Sequence, residues 1–327
     1  MRAFVCSQIT DDLSGAGLQT VPDPVVRADD VLVKVEAASL NFPDILMCQG
    51  KYQFRPDPPF ICGMEMAGVV ETVGENVTEF VPGDIVYGGA KTGAFAELCV
   101  LPASALRKVP DGFSSSQAAA YGAAYLTAYV ALVRRGQIQS GETLLVHGAS
   151  GGVGMATVDM GKLLGARVIA TSGSPAKINA LKAYGADHVI NTADGFRETV
   201  KELTDGRGAD VIFDPVGGDV FDESTRCIAF DGRLLVIGFT SGRIAEVKTN
   251  MPLIKGFSVV GVRAGEYGRR FLDRGRENQE AIWGLAAKGK TRPYIHAELP
   301  LEEVKTGMEM LQNREVVGKL VIRPTGL

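Results

Sequence analysis

Hydrophobic and polar positions change rhythm twice along the chain. In the first third, short runs rich in β-branched and aromatic residues alternate with turns. The pattern predicts strands over Ala3-Ile9, Asp30-Ala37, Met66-Val73, Asp84-Tyr87, Ala94-Val100 and Leu106-Val109, punctuated by Pro22, Pro24, Pro43, Pro56, Pro58, Pro59, Pro82 and Pro102. Near residue 114 the texture becomes helical. Ser114 with Gln117 three positions on has the form of a capping box, and the Ala/Tyr/Leu run behind it predicts a helix to about Arg135.

From Glu142 onward, apolar runs at Thr143-His147, Arg167-Thr171, His188-Asn191, Asp210-Asp214, Arg233-Gly238 and Ser258-Arg263 alternate with amphipathic segments. Such alternation is the mark of βαβ units and predicts an α/β domain with a doubly wound parallel sheet. A helical region over about Glu266-Lys288 follows. A strand at Thr291-Ala297, a helix near Leu301-Gln312 and a strand at Val316-Ile322 then read as a return to the first domain. The expected division is 1–123 with 265–327 for the β-rich domain and 124–264 for the parallel-sheet domain.

Composition adjusts this picture little. A length of 327 residues exceeds what one core usually holds, which agrees with two domains. Forty glycines is well above the roughly 7% norm and fits a turn-rich α/β chain. The net charge of -4, without a dense cationic stripe, argues against nucleic acid as a ligand. Five scattered cysteines without a CxxC pair point to neither a disulfide framework nor a zinc knuckle. The start has no secretory pattern, and the apolar stretch Ala118-Val133 is shorter than the ~20 residues that span a bilayer. A cytoplasmic protein without membrane or nucleic-acid partners is expected.

The chemistry concentrates at Gly148-Ala149-Ser150-Gly151-Gly152-Val153-Gly154, between a predicted strand and a predicted helix. Glycines there allow a tight turn and let backbone N–H groups approach a pyrophosphate at the helix start. Ser150, Gly151, Gly152 and Val153 are thus candidate cofactor residues. An enzyme using NAD usually ends its second strand in Asp or Glu, to hold the ribose 2′-hydroxyl. Here Thr171-Ser172-Gly173-Ser174-Pro175-Ala176-Lys177 offers hydroxyls, backbone donors and a cation instead, a set suited to a 2′-phosphate. NADPH is the expected cofactor, held by Ser172, Gly173, Ser174 and Lys177. In the alternative reading, Lys177 is a solvated first-turn residue and Ser174 only a helix cap.

Asn41-Phe42-Pro43-Asp44, Gly63-Met64-Glu65-Met66-Ala67-Gly68, Gly83-Asp84, the region of Thr127, the Gly148-Gly154 loop, Gly217-Gly218 and Val317-Gly318-Lys319 together resemble the medium-chain dehydrogenase/reductase superfamily over essentially the whole chain. The resemblance is to its zinc-free quinone oxidoreductase branch, and within it to the group called quinone oxidoreductase-like protein 2. It implies a GroES-like β-rich catalytic domain joined to a Rossmann cofactor domain. Where zinc members of the superfamily have a Cys, a His and a Cys or His, this chain has Asn41, Met64 and Ala123, and it lacks the four-cysteine structural lobe. No metal is expected.

The resemblance further implies that Asn41 and Thr127 lie near the nicotinamide, that Asp44 and Tyr52 line the substrate site, and that Asn41 and Tyr52 meet the substrate carbonyl. Asp44 as a helix-start carboxylate and Tyr52 as an aromatic wall are the alternatives. Asn191, Gly238, Phe239, Thr240, Arg263 and Lys319 are implied to approach the cofactor. Hydride transfer to a quinone without metal is the implied activity. An NADPH-dependent reductase of an enone or enoyl-thioester double bond, and a catalytically weak NADPH-binding protein, are the alternatives. A homodimer paired along the strand near 257–263 is also implied.

Overall fold

The computed structural model describes residues 1–326, which form two compact units: Met1–Gly122 with the segment from Arg292 onward, and Ala123–Thr291. The first unit carries β1 (Arg2–Cys6), β2 (Ala16–Thr20), β3 (Asp30–Leu40), helix α1 (Phe42–Cys48), β4 (Phe60–Ile61), β5 (Glu65–Val73), β6 (Ile85–Gly89), β7 (Leu98–Pro102) and β8 (Leu106–Lys108). Helix α2 (Ser115–Tyr129) begins in this unit and ends in the other. The second unit runs through β9 (Thr143–Val146), α3 (Gly152–Leu163), β10 (Arg167–Ser172), α4 (Pro175–Ala183), β11 (His188–Asn191), α5 (Arg197–Leu203), β12 (Ala209–Asp214), α6 (Gly218–Ser224), β13 (Ile228–Val236), α7 (Asn250–Lys255), β14 (Ser258–Gly261), α8 (Ala264–Arg270) and α9 (Leu272–Ala287). The chain then returns to the first unit with β15 (Ile295–Pro300), α10 (Val304–Gln312) and β16 (Lys319–Arg323).

In the first unit, a mixed sheet is built on the long strand β3, flanked by β5 and β16, with the order β15-β16-β3-β5-β6-β8 and β7 on the far stretch of β3; all its pairs are antiparallel except β15 with β16, which is parallel. Its core draws on Phe4, Val33, Val35, Leu40, Ile45, Met66, Phe95 and, from the returning segment, Met308, Leu320 and Ile322. The antiparallel pairing of Leu320 with Leu40 and of Ile322 with Ala38 makes the last residues of the chain part of this scaffold. The Ala94-Val100 prediction is shortened. Only Leu98–Pro102 pairs as a strand, while Ala96 makes a single bridge to Ala3.

The second unit has the strand order β11-β10-β9-β12-β13-β14, every neighbouring pair parallel. This is the doubly wound order, whose direction reverses between β9 and β12. The buried faces of β9, β10 and β12 read as uninterrupted Leu, Val, Ile and Phe because helices cover both sides of a parallel sheet. The predicted capping box forms: the Ser114 N–H donates to Gln117 Oε1 at 3.0 Å, and the Gln117 N–H donates to Ser114 Oγ at 3.2 Å. The predicted helix to Arg135 holds its α form only to Tyr129 and widens into a π-helix over Val130–Arg135. The returning segment begins at Arg292, close to where the Thr291-Ala297 strand was expected to re-enter the first domain and later than the expected division at 265. Helices α8 and α9 pack on each other and on the π-helix segment, and Arg134 donates to Asn278 at 2.7 Å, so the stretch belongs to the second unit. No helix among the described residues is long and apolar enough to cross a membrane.

His147, at the end of β9, ties this unit together. Its ring lies between Thr171 Oγ1 (3.0 Å from Nδ1) and Ser224 Oγ (2.8 Å from Nε2), edge-on to Phe196. Ser224 Oγ donates onward to the Val220 carbonyl at 2.7 Å, which places a proton on Nε2, while Thr171 Oγ1 lies within reach of both Nδ1 and the Val146 carbonyl (3.4 Å). Full burial pushes the His147 pKa down to about 3 from 6.5, which keeps the imidazole neutral at neutral pH. The unfolded chain takes up this proton below pH 6.5 and the folded chain does not, so the contribution to stability is complete above pH 6.5 and is lost as pH falls towards 3. Urea midpoints measured from pH 7 to 4 are expected to fall more steeply for the wild type than for His147→Gln, whose amide preserves both hydrogen bonds without titrating. Parallel curves overturn this assignment.

Candidate functional site

The first group of candidate residues lies along the carboxyl edge of the parallel sheet. Strand β9 leaves the sheet through His147 into Gly148, whose φ of +55° suits glycine, and Gly151 then serves as the cap of α3. Gly154 sets how tightly the turn folds on the helix: a Cβ there would lie 2.3 Å from the Gly148 carbonyl oxygen and 2.7 Å from Ala149 Cα. Only a glycine-built first turn lets the backbone come this close. The N–H groups at the start of α3 have no acceptor within the helix and face outward with its positive dipole end. This cradle fits a dinucleotide pyrophosphate.

Beside it, β10 ends at Ser172, which is level with Asn191 on β11. Ser172 Oγ accepts from the Ser174 N–H at 3.3 Å, and Asn191 Oδ1 accepts from the Ala193 N–H at 3.1 Å. Ser174 occupies the backbone cap position of α4, with Pro175 next, yet its side chain makes no capping bond. Its hydroxyl is therefore not consumed by the helix, which weighs against the cap-only reading. Gly173 is exposed, Lys177 half-buried on the first turn of α4.

On the other side of β9, strand β12 ends in the buried Asp214. This carboxylate accepts from the N–H groups of Val216 (2.8 Å) and Gly217 (2.9 Å), and so shapes the next loop. Its burial raises its pKa while those two N–H groups oppose the rise. The loop is fastened in turn to the one after β13: the N–H groups of Thr240 and Ser241 donate to the carbonyls of Pro215 and Val216, at 3.1 and 3.0 Å. Phe239 stands between them, its ring against Gly217. Arg263, after β14, is exposed at the same edge. The sequence reading passed over Asp214 as an ordinary strand end. Its signal was an acid directly before Pro-Val-Gly-Gly.

The second group lies in the β-rich unit. Asn41 caps α1, and its N–H donates to Asp44 Oδ2 at 2.8 Å. Asn41 Nδ2 donates both to Glu65 Oε1 (3.0 Å) and to the Ser39 carbonyl (3.1 Å), and Oδ1 accepts from Lys319 Nζ at 2.6 Å. Lys319 also pairs with Glu65 at 3.4 Å, both side chains being more than nine-tenths buried. The Tyr87 hydroxyl donates to Glu65 Oε2 at 3.4 Å. Asp44 Oδ1 and Ser39 Oγ, both fully buried, have no partner. Burial pushes the Asp44 carboxyl up to about 7, the Asn41 N–H and the nearby Lys319 charge acting in the opposite direction.

Lys319, expected to approach the cofactor, has Asn41 and Glu65 as its partners here. Both amide hydrogens of Asn41 are engaged, so donation to a substrate carbonyl requires that one be released. Asp44 does act as a helix-start carboxylate, as in its alternative reading. Tyr52 lies half-buried in the loop after α1, and Thr127 Oγ1 donates to the Ala123 carbonyl at 2.7 Å. Among the described residues, no cluster of three or more His, Cys, Asp or Glu side chains is placed to hold a metal ion. The Glu65–Lys319 pairing was not read from the sequence; 254 positions separate its members.

Comparison with known proteins decides the lineage. Residues 27–111 match the family described as alcohol dehydrogenase GroES-like domain, and residues 152–275 the family described as zinc-binding dehydrogenase. A quinone oxidoreductase-like protein 2 homolog of Nematostella vectensis is 40% identical, over 98% of this chain and 88% of that protein. The chain belongs to the quinone oxidoreductase branch of the medium-chain dehydrogenase/reductase superfamily. An acryloyl-coenzyme A reductase of Sulfurisphaera tokodaii is 31% identical over 99% of this chain and all of that one. The crystal structure of Escherichia coli quinone oxidoreductase complexed with NADPH superposes with a TM-score of 0.89 at 27% identity, covering 99% of this chain and 100% of that one. As in the family, a GroES-like β-rich unit accompanies a Rossmann unit in this oxidoreductase.

The buried Glu65–Lys319 pair yields a stability test. Replacing Lys319 by Met removes the cation beside a buried carboxylate and is expected to cost about 3–5 kcal/mol. Adding Glu65→Gln to Lys319→Met is expected to recover part of that loss, so urea unfolding of both single variants and the double variant gives a coupling energy. A coupling near zero shows that the pair is not held as described.

Proposed function

We propose that this chain is an NADPH-dependent, zinc-independent reductase that delivers hydride to a quinone. The observation that carries the cofactor choice is the end of β10, where Ser172, Gly173, Ser174 and Lys177 stand in place of an acid, beside a cradle with room for a pyrophosphate. In this reading Ser150, Gly151, Gly152 and Val153 hold the pyrophosphate, Asn191 lies by the adenosine, and Gly238, Phe239, Thr240 and Arg263 lie towards the nicotinamide. Bound NADPH supplies a hydride from its nicotinamide ring. Support for its use here comes from the relative solved with NADPH.

The metal-free reading rests on side-chain chemistry. Asn41, Met64 and Ala123 offer no thiolate, imidazole or carboxylate at the three positions concerned. A Lys319 ammonium beside Asn41 places a fixed positive charge where a further cation would be repelled. Without a Lewis acid the acceptor must itself delocalise the incoming charge, as quinones do. In this reading Asn41 and Thr127 lie near the nicotinamide, Asp44 and Tyr52 line the substrate site, Asn41 and Tyr52 meet the substrate carbonyl, and Lys319 approaches the cofactor. The resemblance to the acryloyl-coenzyme A reductase supports a second reading, reduction of an enoyl-thioester double bond, where a conjugated carbonyl plays the same part.

Steady-state rates with NADPH or NADH against quinones, 2-alkenals and enoyl thioesters test these readings together. Quinones are expected to give the highest kcat/KM, and NADPH to be preferred. Lys177→Ala is expected to raise the KM for NADPH about 10-fold, consistent with loss of one charge-assisted hydrogen bond, and to leave that for NADH unchanged. Higher rates with enoyl thioesters move the assignment to the second reading, and equal use of NADH overturns the cofactor assignment. Tight NADPH binding without turnover on any acceptor points to a binding protein.

We also propose a cytoplasmic homodimer joined along β14. Among the described residues that strand pairs with β13 alone and leaves its other edge open, with Val259 exposed and Phe230, Leu253 and Ile254 at 81%, 81% and 72% exposure in the same unit. Light scattering is expected to give twice the chain mass. A monomer at micromolar concentration overturns it.

A further inference from the structure

Three of the five cysteines meet inside the β-rich unit. Cys6 on β1, Cys48 at the last position of α1 and Cys62 directly after β4 are each no more than 1% exposed. The Cys48 and Cys62 sulfurs lie 3.5 Å apart, in van der Waals contact, and the Cys6 thiol adjoins Cys48 while donating to the Gln8 carbonyl at 3.4 Å. Packing alone does not call for three thiols in one place, since a free cysteine in a core behaves as a small apolar residue. Hydrogen bonding from the Cys62 thiol pulls the Cys48 thiol down against its burial, whereas the thiol of Cys62 is pushed up.

We propose that Cys48 and Cys62 are an oxidative modification site, forming a reversible disulfide on exposure to a hydroperoxide. The Cys48 thiolate attacks one peroxide oxygen, the O–O bond breaks, and hydroxide leaves and takes up the proton that Cys48 has lost. Cys62 sulfur then attacks the sulfur of the Cys48 sulfenic acid; the S–O bond breaks and water departs with the Cys62 proton. With hydrogen peroxide as oxidant, two thiols lose two electrons and two waters form. Access comes through opening of α1, which has only seven residues.

Position gives the modification its consequence. A disulfide spans about 2.05 Å, so the two sulfurs must close by about 1.5 Å from their present contact. The segments drawn together are α1, capped by Asn41, and the turn that leads through Gly63 and Met64 into Glu65. Those same segments are joined by the 3.0 Å hydrogen bond from Asn41 to Glu65. In this proposal the bond acts on the segments that carry the polar cluster, whereas the phosphate cradle lies in the other unit. Cys6, beside Cys48, is placed to exchange with the disulfide and to assist its reduction.

The test treats the full chain with hydrogen peroxide and counts thiols after denaturation. The count is expected to fall from five to three, with a Cys48–Cys62 peptide pair found on mapping and all five thiols restored by dithiothreitol. Cys48→Ser and Cys62→Ser are each expected to abolish the pair, and Cys227→Ser to keep it. Turnover of NADPH with the best acceptor is expected to drop at least several-fold in the oxidised protein, with NADPH binding unchanged. An unaltered thiol count, a bond mapped to any other pair or Cys48 carried to its sulfinic acid overturns the proposal, as does full activity in the disulfide form. Mapping of the wild-type chain decides the matter even where a serine variant fails to fold.

Discussion

A buried ion pair between Glu65 and Lys319 organises the β-rich unit. An ionised carboxylate and an ammonium withdrawn from water are tolerable only when paired and hydrogen-bonded, and here each is. Lys319 opens β16 and Glu65 opens β5, two strands that flank β3. The pair therefore holds the returning end of the chain against its first third. Asn41, at the end of β3, lies between them and is gripped at both ends of its amide. Much of what the unit presents near α1 follows from this one requirement.

The same requirement bears on the metal-free chemistry proposed for this chain. Where zinc members of the superfamily place a dication among anionic or imidazole ligands, this chain has an amide and a thioether, and it supplies a positive charge through a lysine side chain. An ammonium is a fixed charge with directional donors and no open coordination position. It can stabilise and orient neighbouring groups, but it cannot bind a carbonyl oxygen as a Lewis acid does. Under the proposed metal-free chemistry, that restriction is what points to acceptors able to accommodate hydride through their own conjugation.

In the parallel-sheet unit the corresponding constraint is steric. Gly148 and Gly154 bring the first turn of α3 against the end of β9, and Asp214 arranges the neighbouring loop through two backbone N–H groups. His147 binds three elements beneath the turn as a neutral hydrogen-bonding group. The candidate cofactor positions at the ends of β9, β10, β11, β13 and β14 share one edge because all six strands are parallel.

Much of this was legible in the linear sequence, for identifiable reasons. The parallel sheet was readable because strands covered on both faces become unbroken apolar runs, and the phosphate turn because glycines recur where no side chain fits. The Ser114-Gln117 cap was readable because its partners are three residues apart. Local rules could not reach interactions whose members are far apart. The returning strand near residue 291 was legible from its pattern, but the division at 265 was not the one seen, because packing, not composition, assigns α8 and α9 to the second unit. The place of Lys319 beside Glu65 depends on the pairing of β16 with β3. The meeting of Cys48 with Cys62 likewise depends on where α1 and β4 come to rest. By itself the sequence determined the element types and the glycine turn between β9 and α3; only the tertiary structure decided which buried polar groups face one another, because desolvation penalties act on contacts in space.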